Sequence, residues 1–183
     1  MKNLLAWPVL INAALFQITW FACVIGSAKG LIWPAFAACA ALAAFQMQAK
    51  RRHASDAKLI LASIALGLLV DTIWVQSGWL VFTDQRPFSF LAPVWIIVLW
   101  IGFAMTINHS LAWLDRHPVL PVAMGAIGGP MSYLAGLKLG AVEYHQSTVL
   151  VSAGLAVAWA ISLIILVKIR IASVMKLKSD ESL

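Results

Sequence analysis

The 183 residues are 62% hydrophobic and only 11% charged, with a mean hydropathy of +0.91. A soluble globular domain is about 45–50% apolar and about 25% charged, so the composition excludes one and puts the chain in a membrane. The net charge of +6 is spread in the positive-inside manner described below rather than as a nucleic-acid footprint, which excludes nucleic acid as a partner.

A span needs about 20 apolar residues, and the chain offers six such segments in order. The first, Leu4–Ile25, follows Lys2 and precedes the small residues Gly26, Ser27 and Ala28. That arrangement resembles a signal peptide, but the apolar run exceeds the ~7–15 residues of a signal core. It therefore reads as a retained helix, and it carries Asn12 and Gln17. The second segment is Leu31–Gln48. Cys23 and Cys39, in the first two segments, have no Cys or His at metal-ligand spacing and read as small buried residues.

The third segment, Leu59–Phe82, contains Asp71 and no other ionisable residue. A carboxylate at mid-membrane costs roughly 2.5–3.5 kcal/mol on insertion scales, so such a group usually faces a partner or a cavity. Asp71 lies about 18 Å from the near end of its helix at ~1.5 Å per residue. Gln17, Ser132 and Tyr133 reach a similar depth and are the polar groups best placed to meet it. A structural interhelical hydrogen bond is the plain alternative for each of them.

The fourth segment, Leu91–Leu114, ends in a polar run with Thr106, Asn108, His109 and Ser110. Asn12 should lie at the same depth. With an ordinary pKa near 6.5, His109 is a candidate proton carrier, or else a neutral histidine bonded to a carbonyl near the interface. The helical rise leaves it about 10 Å from Asp71 in depth, so direct contact is not expected.

Pro121, Pro130 and five glycines interrupt the fifth segment, Val119–Val142. Gly125, Gly129, Ser132, Gly136 and Gly140 share one face, which predicts close approach of a neighbouring helix, with a kink at Pro130. The sixth segment is Thr148–Val167. Beyond it the tail SVMKLKSDESL has no apolar anchor and is expected to fray. Trp7, Trp33, Trp79, Trp95 and Trp113 fall near segment ends, where aromatic belts form. Trp74 and Trp100 lie deeper and are expected to wall a pocket. The loop groups Asp84, Arg86 and His145 are expected to be solvated.

Lys2, Lys50, Arg51, Arg52, Lys58, Arg116, Lys168, Arg170, Lys176 and Lys178 fall on one side; only Lys29, Arg86 and Lys138 fall on the other. Both termini should therefore be cytoplasmic. The expected fold is an all-α polytopic bundle of about six membrane helices over residues 1–170, with a basic tail at 171–183. Nothing resembles a catalytic triad, a metal site or a cofactor-binding fingerprint.

Three strings, LLVDTIWVQSGWLVF, LWIGFAMTINHSLAWL and GAIGGPMSYLAGLKLGAV, resemble a family of small bacterial inner-membrane proteins of unknown function. Members are often encoded near cyclopropane-fatty-acyl-phospholipid synthase genes. The resemblance matches Asp71, Asn108, His109, Gly129, Pro130 and Tyr133, and implies a link to membrane lipid modification without assigning any residue a role. Three readings stay open. In the first the protein acts on or presents a membrane lipid, with Asp71 and His109 as the reactive groups. Asn12, Gln17, Trp74, Asn108, Ser132 and Tyr133 would then shape the site. The second is a proton-coupled carrier that titrates Asp71. The third is a structural subunit of a homo-oligomer or larger membrane complex.

Overall fold

The computed structural model describes residues 7–180. The expected start at Leu4, the cation Lys2, the side chain of Lys178 and the last three residues of the tail lie outside the described residues. The fold is an all-α bundle of six helices: α1 (Trp7–Ala28), α2 (Trp33–Gln46), α3 (Asp56–Ser77), α4 (Val94–Ile107), α5 (Val119–Lys138) and α6 (Thr148–Asp180). Four of them, α1, α3, α5 and α6, are long and apolar enough to cross a membrane, while α2 and α4 have 14 residues each.

α4 is the hub. Its residues from Trp95 to Ile107 are almost all buried, and α1, α2 and α3 pack around it while α5 lies along α6. A helix of 14 residues rises only about 21 Å, short of the ~30 Å hydrocarbon core. Such a helix is tolerated where protein, not lipid, surrounds the irregular backbone beyond it. α4 was expected to run to Leu114 and stops at Ile107 because the following polar residues find better partners than the helix ladder. The backbone N–H and hydroxyl of Ser110 both reach the Asn12 side chain, the hydroxyl at 2.7 Å. Asn108 donates to the Asp56 carboxylate at 2.6 Å. These are tertiary bonds, to α1 and to the start of α3, and they fix the backbone in the turn that follows Ile107. A short 3-10 helix, Ala112–Arg116, then leads to α5.

Two other helices are shorter than their apolar runs. α3 ends at Gly78, whose φ of +69° gives the left-handed cap that a side chain resists. Leu80–Phe82 then forms a strand, β1, rather than a last helical turn. α5 likewise gives way at Gly140, φ +78°, to β2 (Val142–Tyr144). The two strands pair antiparallel, Leu80 opposite Tyr144 and Phe82 opposite Val142, and tie the α3–α4 and α5–α6 connections together. α6 does the opposite. It runs to Asp180, well past Val167, and keeps the first part of the tail helical where fraying was expected.

At the end of the bundle that carries the two strands, Asp84 is buried where solvated charge was expected, while its partner Arg86 is exposed as expected. Asp84 is 6% exposed and accepts from Arg86 Nε at 2.8 Å, and this hydrogen bond holds its carboxyl below the usual carboxylate range. Arg86 also reaches the Gly30 carbonyl, at 2.9 Å, joining the α1–α2 turn to the α3–α4 loop. Trp95 is not a belt residue. It is 3% exposed and donates its indole N–H to the Asp84 carbonyl at 3.1 Å. Trp7 and Trp33, 78% and 66% exposed, do stand outside the bundle. His145 is exposed.

Candidate functional site

The centre of the bundle is organised around Asp71, which is fully buried on α3. Each carboxylate oxygen takes one hydrogen bond. Trp100 Nε1 of α4 donates to Oδ2 at 2.7 Å, and the Tyr133 hydroxyl of α5 donates to Oδ1. Tyr133 is one of the three residues that depth along the helix placed level with Asp71. Trp100 comes from a residue expected only to wall a pocket.

Glycines make the arrangement possible. Gly67, one turn before Asp71, lies under the Trp100 ring, where an added Cβ would sit 2.4 Å from its Cδ1. The indole can therefore cross α3 and aim its N–H at the next turn. On its other face Trp100 stacks on Trp159 of α6, centroids 4.5 Å apart and planes within 8°. Phe103 meets both indoles edge-on. Trp159 in turn lies on Gly129 of α5, where a Cβ would come within 2.4 Å of its Cγ. Two positions of the small face expected on α5, Gly125 and Gly129, thus seat α6: at Gly125 a Cβ would be 2.5 Å from the Trp159 carbonyl oxygen, whereas at Gly136 it would meet Val142 of β2. Pro130 lies within α5 with the helix continuing on either side.

Above this assembly runs a groove of about 510 Å³ between α1 and α5. Trp100, Phe103 and Trp159 line it together with Tyr133, Phe16 and Met124, so the two donors to Asp71 both form part of its wall. Gln17, Phe21, Gly128 and Met131 are exposed along it. One polar bond spans it: Trp20 Nε1 of α1 donates to the Ser132 hydroxyl of α5 at 2.7 Å.

Several expected members of the site are therefore elsewhere. Ser132 serves Trp20, not Asp71. Gln17 lies on the exposed rim, because it is turned away from the buried face formed by Asn12, Thr19 and Cys23. Trp74 is not part of the groove. Its ring packs on α6 at Gly154, with 2.7 Å from a would-be Cβ to its Cη2, and against Trp79, centroids 5.7 Å apart.

His109 and Asn108 belong to a second polar cluster at the end bearing the α2–α3 loop. Its centre is Asp56, 2% exposed, a residue outside the candidates that the sequence offers. Asn12 donates to the Gln46 carbonyl oxygen at 2.8 Å and to the Met105 carbonyl at 3.0 Å. That orients the Gln46 amide nitrogen toward His109 Nδ1, 3.0 Å away. His109 Nδ1 must then accept, so Nε2 carries the proton and faces both Asp56 oxygens at 3.2 Å. Both ring nitrogens are engaged, and Asp71 and His109 have no partner in common. The Asp56 oxygens also receive Asn108 Nδ2 at 2.6 Å and the His53 backbone N–H at 2.7 Å. The only signal for Asp56 in the sequence was its place in the first turn of a helix, where an acid favours the helix dipole.

A family model for a protein of unknown function, DUF2878, matches residues 9–165. The chain belongs to that family. The match takes in α1 through most of α6, and so covers Asp71, Tyr133, the groove and the Asp56 cluster. No curated protein matches the chain, nor does any solved structure. The family carries no assigned activity, and the chemistry of these DUF2878 residues has to be read from their geometry.

Proposed function

We propose that the protein sits in the cytoplasmic membrane of a bacterium and holds the apolar chain of a lipid in the groove between α1 and α5, with Asp71 as its polar centre. One observation carries this reading. The groove is lined largely by aromatic and aliphatic side chains, yet two of its wall residues, Trp100 and Tyr133, both end on a buried carboxylate. Apolar pockets with a few convergent polar groups are the usual form of a small-molecule site, and an ionisable residue inside a membrane bundle is seldom placed there without use. Tyr133, held from behind by Asp71, would meet the polar part of the ligand, and Ser132 and Trp20 would close over its chain. The resemblance to proteins encoded beside lipid-modifying enzymes points the same way. The proton-coupled carrier remains the second reading, because it uses the same carboxylate.

Gly128 offers the test. It lines the groove, and a Cβ added there meets nothing within 4 Å. Gly128→Leu should fill the groove and leave the fold intact. Lipid extraction and native mass spectrometry of the purified variant should show less bound lipid than the wild type, with unchanged melting. An equal lipid load would sink the proposal, and proton-coupled flux in liposomes would favour the carrier.

The same reading puts the two termini and the α2–α3 and α4–α5 connections in the cytoplasm, following the ten-to-three distribution of basic residues. A cysteine at Ala54 or Ser179, both exposed, should react with an impermeant maleimide only after the membrane is opened. The native Cys23 and Cys39 are buried and leave a low background. Labelling of either site in intact cells would reverse the topology.

A further inference from the structure

At the end of the bundle bearing the α2–α3 loop lies a second cavity, of about 440 Å³, which shares no lining residue with the groove. Four permanent cations line it: Lys50 and Arg51 from the α2–α3 loop, Arg116 from the 3-10 helix and Arg170 from α6. Only Arg170 is paired, with Asp115, whose carboxylate also lines the cavity and leaves three of the four positive charges unbalanced. Arg51 rests over the Phe45 ring at 4.1 Å and bonds the Phe45 carbonyl, contacts that leave its charge uncancelled. Lys50 and Arg116 are exposed and have no carboxylate partner among the described residues. The nearby Asp56 is already occupied by Asn108 and His109.

The positive-inside rule accounts for basic residues at this end, but it does not account for their convergence on a concavity. Lys50, Arg51 and Arg116 bring charge with no carboxylate beside it to one concavity. Ammonium and guanidinium groups placed in this way match the oxygens of a phosphate, to which arginine binds as a planar fork.

We propose that this cavity binds a phosphate group, with Lys50, Arg116 and Arg170 around the oxyanion. The phosphate belongs either to a phospholipid headgroup or to a soluble phosphate ester; the recognition chemistry is the same. The site stands apart from the groove, and its ligand can be present whether or not an acyl chain occupies the groove.

The test uses the full-length protein in non-ionic detergent and follows its melting temperature. The probes are inorganic phosphate against chloride at matched ionic strength, and dioctanoyl phosphatidylglycerol against dioctanoyl glycerol. The wild type should be stabilised by at least one phosphate probe. Stabilisation by inorganic phosphate identifies a soluble ligand, and stabilisation by the phospholipid alone identifies a headgroup. The variant Lys50→Gln/Arg116→Gln should bind that probe about tenfold or more weakly, since it removes two charged contacts. Both positions are exposed, so folding should survive. Arg52→Gln/Lys58→Gln removes the same charge at the same end but outside the cavity, and should bind as the wild type does. No response to either probe, or an equal loss in the two double variants, would overturn the proposal. An equal loss would mean that diffuse charge at this end attracts the anion.

Discussion

Gly129→Leu should cost the protein about 3 kcal/mol or more, at or above the upper end of what overpacking usually costs. An added Cβ alone would meet Trp159 Cγ at 2.4 Å, Cβ at 2.6 Å and Cδ1 at 2.6 Å. Relief by a flexible tip is not available, because the obstruction includes the root of the Trp159 side chain. That ring is itself stacked on Trp100, whose N–H is committed to Asp71. Moving α6 away therefore disturbs the donor to a buried carboxylate as well as the α5–α6 seam. The comparison with Gly128→Leu isolates the cause. The two substitutions lie one residue apart on the same helix and change helix propensity and hydrophobicity alike, but only position 129 faces α6. Thermal unfolding in detergent should show Gly129→Leu melting far below the wild type, or poorly recovered, and Gly128→Leu close to it. Wild-type melting of Gly129→Leu would refute the close packing of these two helices.

The glycine face illustrates what the sequence made legible. Small residues at helical spacing can serve little purpose except close approach, and at Gly125 and Gly129 it is α6 that approaches. Hydropathy located all six helices because each is an apolar run, although only four are long enough to cross a membrane. It could not find their ends, which polar detail decides. Gly78 and Gly140 stop α3 and α5 by their left-handed backbone. Ser110 and Asn108 stop α4 by finding Asn12 and Asp56.

The candidate site was legible in depth but not in azimuth. Counting rise along each helix put Gln17, Ser132 and Tyr133 level with Asp71, but only Tyr133 points at it. Gln17 lies five residues from Asn12, about 140° around the helix at 3.6 residues per turn, and so faces out where Asn12 faces in. Trp100 was passed over as a partner because tryptophan reads as bulk, although its single N–H is a strong directional donor. Asp56 was missed for the opposite reason. A carboxylate beside basic loop residues reads as a solvated charge until tertiary packing buries it against Asn108 and His109.

Asp71→Asn should leave the protein folded and abolish its function. An asparagine at this position keeps an acceptor for Trp100 Nε1 through its carbonyl oxygen, and its amide can donate to the Tyr133 hydroxyl, which accepts as readily as it donates. Both hydrogen bonds survive with one reversed, and the cost of a buried charge is removed. Melting should therefore stay near the wild-type value. Asp71→Leu marks the other limit, because it strands two buried donors at about 1–3 kcal/mol each. If Asp71 only braces Trp100 and Tyr133, the asparagine variant should also be fully active, since an amide braces them as well. If the carboxylate takes up or releases a proton, or acts through Tyr133 on the polar part of a ligand, the amide cannot replace it. The decisive measurement is complementation. Lipid profiles are compared in cells lacking the protein, cells carrying the wild type and cells carrying Asp71→Asn, with the melting of the purified variant as the control for folding. The expected outcome is a stable variant whose lipid profile matches that of the deletion. A stable and fully complementing variant would reduce Asp71 to a brace. An expensive carboxylate would then stand where an amide serves equally well, and the polar centre of the groove would have to be sought in Tyr133 and Ser132 alone.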